Sequence, residues 1–213
     1  MNIWIDILHI PQFNFYKELI KRLSIEGNNI YVTVLDRGKL YPIAQKELKE
    51  LSNVYVDKVG CHKMKKISAI IDANLLRLFK LYRWTSKNKI DIALSNGFLC
   101  SIVCSLKGIP SYTFGDDPQT FDYKPKIWFS NKSHYCLYQL PDNYKLSPKV
   151  KVLKALKEWS YLAPSVYKAD ISALDEYGVK PKEYVFLREV SVGTVNYTGQ
   201  ASGAILNVAH LIP

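Results

Sequence analysis

Short apolar runs alternate along most of this chain with longer segments whose apolar positions recur every three or four residues. A strand followed by a helical crossover of ten or more residues rejoins its sheet in parallel, and a succession of such units leaves few foldable topologies. The runs are Asn2–Leu8, Ile30–Leu35, Val54–Val59, Asp91–Ser95, Ser111–Phe114 and His134–Gln139. Between them, Phe15–Glu26, Lys39–Ser52, Lys65–Asn88 and Phe98–Leu106 have helical composition, with Gly27 and Gly108 placed to end two of the helices.

The expected fold class is therefore α/β, a Rossmann-like domain built on a parallel sheet. Beyond Pro141 the pattern changes. Lys149–Leu162 reads as one amphipathic helix broken at Ala163-Pro164, and a short helix near Ile171–Tyr177 ends at Gly178. Tyr184–Arg188 then looks like the first strand of something new. The expected organisation is an N-terminal domain over 1–163, a crossover over 164–182 and an incomplete second domain over 183–213.

The formal net charge is +10, which favours anionic partners. No arginine-rich arm, zinc-finger spacing or aromatic RNP-like strand accompanies it, so nucleic acid is not the expected partner. Lys66, Arg77 and Lys80 fall together on one face of the long helix, near Tyr82 and Trp84. That face reads either as a solvated surface or as a dock for anionic lipid. No run reaches the length of a membrane span and no signal peptide is visible, so a cytoplasmic protein is expected, with the inner membrane face as a place of peripheral attachment. Cys100 and Cys104, four apart on a helix, read as buried reduced thiols, as that compartment allows.

In an open parallel sheet, ligands sit beyond the carboxyl ends of the strands. The loops at that edge offer His9, Gln12 and Asn14 after the first strand, Ser95, Asn96 and Gly97 after the fourth, and Asp116, Asp117 and Gln119 after the fifth. Paired carboxylates can serve a general base or hold hydroxyl groups, although Asp-Asp-Pro also suits a helix start. His9 can carry a proton near neutral pH or be a structural histidine. Asn96-Gly97 is equally readable as an ordinary turn. There is no GxGxxG after the first strand, no GxxxxGK[ST] anywhere, and no metal-ligand spacing.

Several segments, taken in order, resemble the DUF354 proteins. They are Ile3-Trp4-Ile5-Asp6-Ile7-Leu8-His9, Phe15-Tyr16-Lys17, Asp91 to Gly97, Gly108-Ile109-Pro110-Ser111, Phe114-Gly115-Asp116-Asp117, Glu158 to Leu162, Leu174 to Gly178, and Tyr184 to Arg188. That family looks related to UDP-N-acetylglucosamine 2-epimerases and to GT-B glycosyltransferases of the MurG type. The resemblance implies two Rossmann-like domains of GT-B type facing each other across a cleft. It also implies a nucleotide sugar, UDP-linked, as substrate, with a sugar or lipid-linked acceptor.

On that basis His9, Asp116 and Asp117 would be catalytic, while Gln12, Asn96, Gly97 and Gln119 would bind substrate. The stretch holding Arg188, Gly193, Thr198, Gly199 and Ser202 would open the nucleotide-sugar edge of the second domain. No redox cofactor is required and a metal is optional. A complete second domain would need about a hundred residues beyond Pro213, so turnover by this chain alone is not assured. The expected activity is glycosyl transfer in cell-surface polysaccharide or glycolipid synthesis. A UDP-N-acetylglucosamine 2-epimerase and a non-catalytic membrane-surface module are the alternatives.

Overall fold

The computed structural model describes residues 1–61, 67–115, 122–140 and 147–185, with the backbone alone for 67–73 and 139. The chain divides into two compact units, Met1–Tyr167 and Lys168–Pro213. In the first unit the strands are β1 (Asn2–Ile7), β2 (Asn29–Asp36), β3 (Val54–Cys61), β4 (Ile92–Ser95), β5 (Ser111–Gly115), β6 (Lys132–Cys136) and β7 (Val150–Leu153). All pair in parallel, in the order β3-β2-β1-β4-β5-β6-β7. The helices are α1 (Ile10–Ile25), α2 (Leu40–Leu48), α3 (Ile67–Lys87), α4 (Phe98–Lys107), α5 (Tyr123–Phe129) and α6 (Trp159–Leu162). This is the Rossmann-like α/β architecture that the alternation predicts.

β1 lies inside the sheet, between β2 and β4, and is covered on both faces, which is why its sequence is apolar almost throughout. Ile3, Ile5 and Ile7 pack with Phe13, Tyr16 and Ile20 of α1 and with Leu40, Ala44 and Leu48 of α2. The alternate residue Trp4 packs on the other face with Leu81 of α3 and with Leu99, Val103 and Cys104 of α4. Its indole N–H donates to Thr33 Oγ1 at 2.7 Å. Cys100 and Cys104 are buried as expected; burial pushes the Cys100 thiol well up, with Cys104 adding to it, so the thiol stays protonated and inert. Cys61 is exposed at the end of β3.

Arg77 departs from the expected surface stripe. It is buried, and its guanidinium donates twice to Asp6 of β1 and once to the Val59 carbonyl. Thr33 Oγ1 also donates to Asp6, at 2.7 Å. An unpaired buried carboxylate is too costly to survive in a core, so Asp6 requires this cation. Gly60, at φ +84, gives the arginine its path, because a Cβ there would come within 2.8 Å of Arg77 Cγ and Cδ. Trp84 likewise is no interfacial ring. It is half-buried, its ring centroid lies 5.4 Å from that of Trp4 with the planes tilted by 41°, and it donates to Asp57 Oδ2. Lys80 is exposed, and Lys66 lies outside the described residues.

The expected helix over Lys149–Leu162 is a second correction. Val150–Leu153 forms the edge strand β7, and only Trp159–Leu162 is helical. The expected strand over His134–Gln139 begins earlier, at Lys132, and Leu137–Gln139 is a 3-10 turn. In the second unit, Ile171–Tyr177 is 3-10 helix, started by the Asp170 side chain on Ser172 N–H and ended at Gly178. Tyr184 and Val185 carry no strand, and the rest of the expected second-domain start lies outside the described residues. Among the described residues no helix is long and apolar enough to cross a membrane.

Candidate functional site

The strand order reverses direction between β1 and β4: β2 and β3 lie to one side, β5 to β7 to the other. At such a reversal of strand order, open α/β sheets take their ligands in the crevice outside the carboxyl edge. The β1–α1 turn brings His9 to this edge and the β4–α4 turn brings Asn96 and Gly97. Asp6 pairs with Ser95 in the β1–β4 register, so the two turns leave the sheet at the same level.

His9 is the N-cap of α1, and its carbonyl accepts the N–H groups of Gln12 and Phe13 at 3.1 and 3.2 Å. Its side chain is half-buried, with Nδ1 shielded from solvent. Gln12 is buried, and its Oε1 accepts Leu8 N–H at 2.8 Å. That oxygen holds the β1–α1 turn closed. The neighbouring turn is closed by Ser95, whose Oγ accepts from Gly97 N–H at 2.7 Å and lies 2.8 Å from the Gly97 carbonyl. A Cβ on Gly97 would stand 2.9 Å from Leu8 Cδ1, so the two turns touch through a position that admits only glycine without a shift.

Gly97 is the N-cap of α4, with no side chain to cap the helix. The positive end of a ten-residue helix therefore lies at the crevice. Beside it Asn96 is buried, only 6% exposed, and its Oδ1 accepts no hydrogen bond from any described residue. A buried acceptor left unmade costs about 1–3 kcal/mol, a cost that a core seldom carries without use. The arrangement can take a ligand that donates a hydroxyl or amide N–H to Asn96 while placing electron-rich atoms at the α4 terminus.

β5 ends at Gly115, where a Cβ would overlap the Tyr135 ring of β6. Tyr135 thus sits against the last backbone position of β5, immediately before Asp116 in sequence. Asp116, Asp117 and Gln119 themselves lie outside the described residues, as do Arg188, Gly193, Thr198, Gly199 and Ser202. Sequence reasoning passed over His134, which stacks on Phe114 with ring centroids 4.9 Å apart and has Nδ1 3.2 Å from the Thr113 carbonyl. Burial lowers its pKa; the Thr113 carbonyl opposes the shift and Lys151 adds to it. Among the described residues no three His, Cys, Asp or Glu side chains gather as metal ligands would.

The sequence model of the family described as "Protein of unknown function (DUF354)" matches residues 1–116. No curated protein sequence matches the chain. The crystal structure of MurG from Acinetobacter baumannii superposes with a TM-score of 0.52 at 15% identity, covering 71% of this chain and 44% of that one. UDP-N-acetylglucosamine 2-epimerase from Rickettsia bellii superposes at 0.57 with 13% identity, covering 85% of this chain and 52% of that one. The chain spans about half the length of these structures. At such identities the likeness establishes a shared fold.

Proposed function

Taking as premise that the chain belongs to the DUF354 family, we propose that it is the acceptor-side part of a nucleotide-sugar enzyme of GT-B type, acting as a glycosyltransferase. The observation that carries this reading is the buried, unmatched Oδ1 of Asn96 beside the bare N-terminus of α4, at the reversal of strand order. A sugar acceptor offers the complement, since its hydroxyls donate to Asn96 and its oxygens or phosphates suit the helix terminus. Transfer requires removal of one acceptor proton as the glycosidic bond forms. Asp116 or Asp117 takes that proton in this proposal, with His9 assisting. The leaving diphosphate of the donor is neutralised on the second domain, by Arg188 and the N–H groups around Gly193, Thr198, Gly199 and Ser202.

The test combines calorimetric titration of the protein with UDP and UDP-N-acetylglucosamine and product analysis with and without sugar acceptors. A glycosylated acceptor supports the transferase. An epimerised sugar formed without any acceptor replaces it with a 2-epimerase. Absence of binding by either nucleotide, with no product, removes the nucleotide-sugar reading.

A further inference from the structure

We propose that the outward face of α3 docks on an anionic bilayer surface, independently of what the crevice binds. The inward face of this helix is fixed by Arg77, Leu81 and Thr85, all buried. The opposite face should then be polar if it met only water. Instead Leu75, Leu76, Phe79 and Tyr82 are 61%, 48%, 56% and 42% exposed, and Leu106 at the end of α4 is 67% exposed. Over Asn74–Lys87 the same face carries the cations Lys80, Arg83 and Lys87 and no acid. Arg83 lies 5.7 Å from the Phe79 ring centroid, and Lys107 Nζ lies 4.2 Å from that of Tyr82. At its C-terminal end the face runs into a cleft lined by Ser86, Lys87, Lys89 and Lys107.

Apolar side chains interleaved with cations on long stems match a lipid interface. The Leu and Phe side chains enter the acyl boundary while the Lys and Arg heads stay at the phosphates. A second copy of the chain is a poor occupant, because a two-fold contact would set Lys80, Arg83 and Lys87 against their own equivalents. Of the cationic stripe suggested by sequence, Lys80 belongs to this set, Arg77 is buried and does not, and Lys66 lies outside the described residues.

The experiment is sedimentation of the full chain with vesicles of phosphatidylcholine alone, or of phosphatidylcholine containing about a third phosphatidylglycerol. Binding to the anionic vesicles is expected to exceed binding to the neutral ones by about tenfold or more. The double variant Leu76→Ser/Phe79→Ser, altered only at exposed positions, should lose about tenfold in affinity. As an independent reading, Leu76→Trp should shift its emission to the blue on the anionic vesicles. Failure of the wild-type chain to sediment with them, or equal binding by the double variant, overturns the proposal. So does a stable dimer in light scattering that Leu75→Ser/Phe79→Ser dissociates, since the face would then belong to self-association.

Discussion

Arg77 Nη2 stands 2.6 Å from Asp6 Oδ1, and Nη1 stands 3.1 Å from Oδ2, joining α3 to the interior strand β1 through a buried two-bond ion pair. The two residues are 71 positions apart in the chain, so the pair forms only when β1 and α3 are both in place. Removing the cation alone leaves a carboxylate stranded in the core. Arg77→Met is therefore expected to cost about 3–5 kcal/mol in urea unfolding, and Asp6→Leu/Arg77→Met appreciably less. Equal losses in the two would show that the charges are not coupled.

Gly60→Ala tests the path of the same arginine. Its positive φ and the approach of Arg77 Cγ and Cδ predict a combined loss of about 2–4 kcal/mol. Introducing the alanine into an Arg77→Met background should cost less, because a flexible thioether can yield. An unchanged unfolding midpoint in Gly60→Ala would contradict the close packing.

The pair also explains what could be read from the sequence and what could not. β1, β2, β4 and β5 announce themselves because strands covered on both faces must be apolar, and the helices between them fix the parallel sheet. Arg77 deceives, because helical periodicity places a residue on a face but does not tell which charged face meets a partner far away in sequence. The available signal was Asp6, an acid inside a buried run, which demands a cation. β7 was missed for a different reason. It is the last strand of the sheet, and Lys151 between its two valines is typical of an edge that must not pair further. The crevice was legible only as loop positions; the unmatched state of Asn96 is a property of packing, invisible in residue order.

Asn96 predicts opposite signs for stability and binding. Asn96→Ala removes a buried acceptor that no described residue satisfies, so stability should change by less than about 1 kcal/mol or rise. If a ligand donates to that oxygen, binding or turnover should fall by about tenfold or more. A variant both unstable and fully active would assign the side chain to the fold.

Asp117→Asn follows from the proposed proton transfer. Turnover should fall by about a hundredfold or more while nucleotide binding stays close to wild type. Wild-type turnover in that variant, measured with saturating acceptor, would take Asp117 out of the chemistry.

His134 predicts an acid-sensitive contribution to stability. Burial lowers its pKa in the folded state, so the unfolded chain binds the extra proton first. The contribution is fully present above the ordinary imidazole range and is lost as pH falls below about 6.5. Urea midpoints between neutral and mildly acidic pH should drop less in His134→Phe, which keeps a ring against Phe114. Parallel pH profiles for the two proteins would rule this out.

The contact between Leu8 and Gly97 means that the two turns at the crevice cannot vary independently. A residue inserted between β1 and α1 would lift Leu8 away and leave room beside Gly97 for a side chain that the present geometry refuses. Any larger residue at Gly97 would in turn push the first turn, and with it His9, out of place. The aperture of the site is thus a shared dimension, and variants that widen it should come as compensating pairs across the strand reversal rather than as single changes.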